Sequence, residues 1–487
     1  MRLRTLRWGL VGLLLAAWAL RIPPLLDSPL HSDEALYGYW GLLIGSGRDP
    51  WLTSGPVYKP PLLPYVVSIF QLLIGKTMLA LRLPGLIAGM LTVPLVATLA
   101  HTLYKDLWTG AIASAAVALS PFAIVYSGSA FPDPLMIAFG VGACVAAARG
   151  CVEYAALLAG LSFATKQTGL AWLPLVLGVA LVRGLRSASK VRGFMAVYLT
   201  PVLVVMAWDI VRVALGANSF WSAGTAGYGG LRLIWSHELW TRLRAWTGQL
   251  RTLFKSLPVN VLLLVGVPAL VGAGLVRRPR TPRGYFDLLL ISFCLIYALL
   301  HWLFAFPVWG RYVMPLMAIL AVLLGRIIRE STLFLTSTLR LGVRPAVGAG
   351  LLILLLVAPA YEASAGRYAA AEDRAVYRGI GDVVSFLRDL PEGSVVYHHW
   401  LGWHYRYALF DAPIYLAYWP TPAWLAQDVQ AFGGRDPRYV AFPGWESTSR
   451  VETALLEAGY ALEPVLSVAQ DDGAPSFVVY HIVPSPA

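Results

Sequence analysis

PPLLPYVVSIFQLLIG, residues 60–75, decides how the whole chain is arranged, because whether it crosses a membrane sets the side on which every later segment stands. The run is short, opens on Pro60 and Pro61, and carries a third proline at Pro64. A helix needs about 20 apolar residues to span the bilayer core, with tilt and buried neighbours tolerating fewer. Eleven other runs meet that standard: 8–26, 82–104, 107–127, 134–150, 152–165, 168–185, 194–215, 258–276, 286–306, 311–328 and 345–361.

Arginine and lysine arbitrate, since short basic loops stay on the cytoplasmic side. If 60–75 does not cross, the clusters Arg183, Arg186, Lys190, Arg192, then Arg277, Arg278, Arg280, Arg283, then Arg326, Arg329, Arg340, Arg344 all fall inside with Arg2, Arg4 and Arg7. If it does cross, the three later clusters are exported. Residues 60–75 are therefore expected to be a re-entrant or interface-lying segment of one external loop, 27–81. The N-terminus resembles a signal peptide with a cleavage site at Ala17-Trp18-Ala19, but its apolar character runs on to Leu26, and a retained first span is expected.

Composition agrees. Of 487 residues, 58% are hydrophobic and 13% charged, and mean hydropathy is +0.65, which marks a polytopic membrane protein rather than a globular one. The net charge of +12 comes from short clusters between apolar runs, so it reads as topology facing anionic lipid and not as a nucleic-acid surface. The three cysteines, Cys144, Cys151 and Cys294, lie in apolar runs and form neither a disulfide framework nor a metal site. From about residue 367 the long apolar runs stop. Short β-rich pieces (394–399, 438–443, 477–483) alternate with helical pieces (373–390, 421–431, 447–459), the pattern of a small α/β domain. The expected organisation is a membrane domain over 1–366 and a soluble extracytoplasmic domain over 367–487, with the N-terminus cytoplasmic.

That topology gathers scattered polar residues on the outer face. The first external loop carries Asp33, Glu34, Tyr37 and Lys59; the next carries Asp133 between Pro132 and Pro134; a later turn carries Lys166; and Arg311 and Tyr312 stand near the last spans. Flanking prolines restrict the backbone around Asp133. Two acids facing several bases at a membrane surface suit a reaction on a lipid-linked anion. A carboxylate can take the proton of an attacking hydroxyl, and Lys or Arg can hold a leaving phosphate as its charge grows.

These motifs, in order, resemble the polyprenol-dependent GT-C glycosyltransferases, in particular the protein O-mannosyltransferase and aminoarabinose-transferase group. The match comprises Asp33, Glu34 and Tyr37; the Lys59-Pro60-Pro61 step; Arg82, Pro84 and Gly85; Asp133-Pro134; Thr165-Lys166; and Arg311, Tyr312 and Pro315. The resemblance implies an integral-membrane enzyme of the cell envelope, about eleven spans with interfacial helices, that moves a sugar from polyprenyl monophosphate to an outer-face acceptor with inversion. It implies Asp33 as the base-type aspartate and Asp133 as its partner, with Glu34, Tyr37, Lys59, Lys166, Arg311 and Tyr312 contacting substrate. No cofactor is expected, and a requirement for a divalent cation is left open.

Two features keep the acceptor open. Where the aminoarabinose branch has Glu before the Lys-Pro step, this chain has Tyr58, and loop 216–257 is too small for the sugar-binding insert of eukaryotic protein mannosyltransferases. Each site residue also has a plainer reading: Asp33 and Glu34 as helix caps, Asp133 as a turn residue, the bases as interface anchors. Asp209 and Arg212, one helical turn apart, read as a structural pair. Residues 234–257 read as an amphipathic helix on the outer leaflet, with Arg244, Arg251 and Lys255 on its polar side. His398, His399 and His404 fit no metal-ligand spacing. The rival function is a transporter or flippase, which would place ionisable groups near the bilayer midplane, often in repeated halves.

Overall fold

The computed structural model describes residues 2–227, 232–276, 282–337, 340, 342–368, 375–469, 473 and 475–485. Arg277, Arg278 and Arg280, and the start of the helical piece expected at 373, lie outside the described residues. Contacts divide the chain into two units. The first joins Met1–Asp27 to Leu43–Ala370, and the second joins Ser28–Leu42 to Ala371–Ala487.

The first unit is helical. Its elements are α1 (Arg2–Asp27), the end of α2 (Ser32–Gly45), α3 (Leu62–Ile74), α4 (Met78–Tyr104), α5 (Leu107–Ala118), α6 (Pro121–Ser127), α7 (Pro132–Arg149), α8 (Val152–Thr165), α9 (Trp172–Val182) and α10 (Ala188–Ala214). There follow α11 (Phe220–Gly227), α12 (Leu239–Thr252), α13 (Leu257–Val276), α14 (Pro282–Leu303), α15 (Met314–Ser337) and α16 (Pro345–Ser364). Six helices among the described residues are long and apolar enough to cross a membrane by length and composition: those at 8–27, 78–104, 188–214, 282–303, 310–337 and 345–364. Two further pairs are bent, α5 with α6 by 61° and the 236–252 segment with 257–273 by 112°. These helices mark an integral membrane protein. The pivotal run 60–75 forms the short helix α3, and the amphipathic stretch forms α12, although that helix ends at Thr252 and Lys255 lies beyond it with φ 45°.

Caps explain the breaks. Asp106 closes the start of α5 by accepting from the Thr109 amide at 3.0 Å, and Lys105 before it turns left-handed at φ 55°. Ser120 caps α6 through the Ala123 amide, with Pro121 at the first helical position. The α5–α6 break leaves the carbonyls of the last turn of α5 buried without helical partners. Arg21 of α1 answers this. Fully buried, it donates to the carbonyls of Ala118 (2.9 Å), Val117 (3.2 Å) and Ala17 (3.0 Å), and to Ser127 Oγ (3.3 Å). At the other end of the bundle, Asp287 accepts from Tyr104 at 2.7 Å and lies 3.6 Å from Arg326, which also pairs with Glu330, while Arg329 meets Asp106 at 3.0 Å. That network ties together the ends of α4, α5, α14 and α15. The Asp209–Arg212 pair forms at 3.1 Å, as read from its spacing.

The second unit contains the start of α2, then α17 (Ile380–Arg388), α18 (Gly402–Ala408), α19 (Pro422–Phe432) and α20 (Ser449–Glu457) around a five-stranded sheet. The strands are β1 (Val395–His398), β2 (Tyr415–Tyr418), β3 (Arg438–Pro443), β4 (Tyr460–Ala469) and β5 (Pro475–Pro484), in the order β2-β1-β3-β5-β4. The first three are parallel, and β5 and β4 run antiparallel. Two cores fill its faces, one around Val396, Tyr405, Phe477 and Val479, the other around Tyr397, Val440, Leu425 and Phe442.

Replacing Arg21 with leucine leaves buried α5 carbonyls without donors. Thermal unfolding in detergent is expected to show a loss of about 2 to 4 kcal/mol, each orphaned buried acceptor costing roughly 1 to 3 kcal/mol, with Arg21→Lys recovering part of it.

Candidate active site

In the first unit the site is built where α7 begins and α8 ends. Asp133 sits in the first turn of α7, where the helix dipole favours a negative charge, and is 1% exposed. The approach to it is fixed by close packing: a Cβ on Gly85 of α4 would fall 2.1 Å from the Ser129 carbonyl, so only glycine lets this turn rest on α4. Lys166, in the turn after α8, reaches across to Asp133 with Nζ 2.6 Å from Oδ1. Both side chains are buried. The turn itself depends on Gly169, where a Cβ would meet the Ser162 carbonyl at 2.2 Å.

Other sequence candidates gather here. The Lys166 ammonium lies 4.6 Å from the centre of the Tyr312 ring. Lys59 and Arg311, both buried, are close enough to act electrostatically on Lys166. Arg311 itself is held between Phe131 and Trp309, at 4.8 and 4.6 Å from their ring centres. Burial draws the Lys166 amine down to about 8, Lys59 and Arg311 add to that, and Asp133 opposes it. Lys59, Lys166 and Arg311 thus share one buried neighbourhood with Asp133. The second oxygen of Asp133, Oδ2, is buried and has no hydrogen-bond partner among the described residues. A buried acceptor without a donor is uncommon, and it can receive a hydroxyl or a proton.

Residues outside the sequence reading hold Lys59 in place. The Gln167 amide donates to the Tyr58 carbonyl at 2.6 Å, and Gly224 of α11 packs over the same carbonyl. Upstream, Arg212 donates twice to the Leu52 carbonyl, at 3.1 and 3.0 Å, while Asp49 accepts from the backbone of Thr53 and Ser54. Gln167 adjoins Lys166 in sequence, and that proximity was the available signal. Arg212 was read only as the partner of Asp209.

Asp33, Glu34 and Tyr37 belong to the second unit and are described within it. Asp33 and Glu34 open α2. Glu34 is fully buried and accepts from the His31 amide at 3.2 Å, and the Asp33 amide donates to His31 Nδ1 at 3.0 Å. Glu34 thus acts at least as a cap for its own helix. Tyr37 is buried 5.5 Å from Trp40, centre to centre. Of the three tail histidines, His404 bonds the Leu30 carbonyl through Nε2, and no group of three or more His, Cys, Asp or Glu residues able to hold a metal occurs among the described residues.

Comparison with known proteins bears on this arrangement. Residues 58–211 match the sequence model of the dolichyl-phosphate-mannose-protein mannosyltransferase family. No curated protein matches the chain. Among solved structures, ArnT from Cupriavidus metallidurans in the apo state superposes with a TM-score of 0.65 at 14% identity, covering 97% of each chain. The same protein bound to undecaprenyl phosphate gives 0.61 at 14% identity, covering 97% of this chain and 98% of that one. An oligosaccharyltransferase from Archaeoglobus fulgidus tethered to an acceptor peptide gives 0.50 at 13% identity, over 96% of this chain and 74% of that one. The chain therefore shares its fold with ArnT from Cupriavidus metallidurans and with the archaeal oligosaccharyltransferase, and its residues 58–211 match the dolichyl-phosphate-mannose-protein mannosyltransferase family.

Proposed function

We propose that the protein is an inverting glycosyltransferase that moves a sugar from a polyprenyl-monophosphate donor to an acceptor on the outer face of the membrane. The observation that carries this reading is the buried cluster of Lys166, Lys59 and Arg311 with Asp133, whose Oδ2 has no partner among the described residues. The departing polyprenyl phosphate is the anion such a cluster suits: once the sugar leaves it is a monoester, with up to two negative charges and several acceptor oxygens for cationic donors.

An apolar groove supports the lipid half of the donor. It has a volume of about 510 Å³ and is lined by Val66 and Phe70 of α3, Leu91 and Leu95 of α4, and Phe139 of α7, among others. Leu135 also lines it, two residues from Asp133 in α7. A chain of isoprene units could lie there with its phosphate toward the cationic cluster.

In the proposed reaction the acceptor hydroxyl attacks the anomeric carbon from the face opposite the phosphate. The new C–O bond forms as the bond from the anomeric carbon to the phosphate oxygen breaks, which inverts the centre. Asp33 takes or orients the acceptor proton, and Asp133 assists through its uncommitted oxygen. Lys166, Lys59 and Arg311, with Glu34, Tyr37 and Tyr312 at the substrate, hold the departing polyprenyl phosphate. Eleven spans with α3 re-entrant, a cytoplasmic N-terminus and an extracytoplasmic tail complete the proposal.

The test offers the purified protein a panel of polyprenyl-phosphate sugars and follows release of the lipid phosphate. Asp33→Asn and Asp133→Asn are each expected to lower kcat by at least about 100-fold, the size of a general-base contribution. Unchanged turnover in both removes the site assignment, and saturable sugar movement without bond cleavage makes the protein a transporter. The Lys166 amine supplies a second check. It is cationic below about 8, so kcat/KM for the donor should fall as pH rises through that value. The loss should reach about tenfold one unit higher. Because bound phosphate favours the charged amine, the corresponding fall in kcat should come at higher pH. A flat profile in wild type, or the same fall in Lys166→Met, contradicts the role given to this amine.

A further inference from the structure

The carboxyl ends of the three parallel strands in the second unit share an unusual composition. Each is followed by a tryptophan: Trp400 after β1, Trp419 directly after β2, and Trp445 after β3. The chain leaves β1 for β2 on one side and returns through α19 to β3 on the other, so successive connections diverge beside β1. In sheets of this kind, that divergence opens a crevice outside the strand ends where ligands bind.

The side chains there are not packed as a core. Trp400 is 58% exposed, Trp445 49% and Tyr418 51%. The Tyr418 ring lies 5.9 Å from His398 and 5.7 Å from His399, centre to centre, and His399 lies 5.0 Å from Trp400 and 4.6 Å from Trp419. Glu446, half-buried beside Trp445, interacts with both His399 and the Trp400 side chain. Among the described residues, four buried polar atoms of this aromatic cluster have no partner: both ring nitrogens of His398, Nδ1 of His399 and the indole N–H of Trp419. His398 and Trp419 are each 4% exposed. Buried polar atoms are nearly always bonded, so four orphans in one place ask for a ligand with several hydroxyls.

The charge is balanced, which narrows the ligand. Glu446 contributes a carboxylate and Arg406 of α18, acting on His398, a guanidinium. The carboxylate and guanidinium that act on these histidines are of opposite sign, which does not single out a phosphate or an anionic lipid. Flat aromatic faces, a carboxylate acceptor and ring N–H groups suit a neutral pyranose, whose C–H face stacks on an indole while its hydroxyls bridge donor and acceptor. We infer that the crevice at the carboxyl ends of β1, β2 and β3 is a binding site for a neutral glycan, with Trp400, Trp445 and Tyr418 as stacking surfaces and His398, His399 and Glu446 as hydroxyl partners. This inference stands apart from the donor chemistry proposed above, and its test reads binding and not turnover.

The full-length protein in nanodiscs is titrated with neutral gluco-, manno- and galacto-configured tetrasaccharides by calorimetry and saturation-transfer NMR. At least one is expected to bind saturably. Trp400→Ala, Trp445→Ala and the near-isosteric Glu446→Gln should each weaken it at least tenfold while leaving the melting temperature in place. Absence of binding by every saccharide overturns the inference, as does equal affinity in folded variants. A third result also overturns it: brominated lipids in the nanodisc quench Trp400 and Trp445, which would make the aromatic faces a membrane anchor.

Discussion

The ion pair between Lys166 and Asp133 is the constraint on which the rest of the membrane unit converges. Taking two charges out of water is costly, and the cost is offset only when geometry is close and both groups remain fixed. Here the pair closes at 2.6 Å, and the first turn of α7, the glycine contacts at Gly85 and Gly169, and the aromatic ring of Tyr312 hold its members in place. Lys59 and Arg311 act on the Lys166 ammonium from nearby. On the proposed function, a phosphate entering this cluster would compete with Asp133 for the Lys166 ammonium, so that donor binding and release of the carboxylate would be one event. The half-satisfied state of Asp133 fits a group prepared for that exchange.

Much of this was legible because membrane topology converts charge patterning into a map of compartments. The basic clusters settled how 60–75 should be read, and that reading put Asp133, Lys166 and Arg311 on one expected face. Distance was not legible. Lys166 and Asp133 are separated by an intervening pair of helices, and nothing in their spacing states that the side chains meet. The same holds for Gln167, whose amide fixes the carbonyl of Tyr58, a contact set by tertiary packing alone. Arg21 was hidden for a different reason: it lies within an apolar run, and only the break between α5 and α6 explains why a guanidinium is buried there.

The tail shows where pattern reading stops. The strands β1, β3 and β5 are apolar and flanked by turn residues, so they stood out, as did α19 and α20. The strand β2 is four residues long at a sheet edge, and β4 carries Glu463 and Pro464 within an exposed edge, so neither alternates clearly. Missing β2 hid the parallel half of the sheet, and with it the crevice. The histidine-rich stretch 397–407 was read for metal and gave no ligand spacing; placed on the sheet, its histidines separate into a packed His404 and an orphaned His398.

The most direct test of the central claim is a double-mutant cycle on polyprenyl-phosphate binding, using wild type, Asp133→Asn, Lys166→Met and the double variant in one lipid environment. A coupled pair should give an interaction energy of about 0.5 to 3 kcal/mol between the two positions. Additive losses, within roughly 0.3 kcal/mol, would mean that Asp133 and Lys166 meet the donor independently and that their contact does not organise the site.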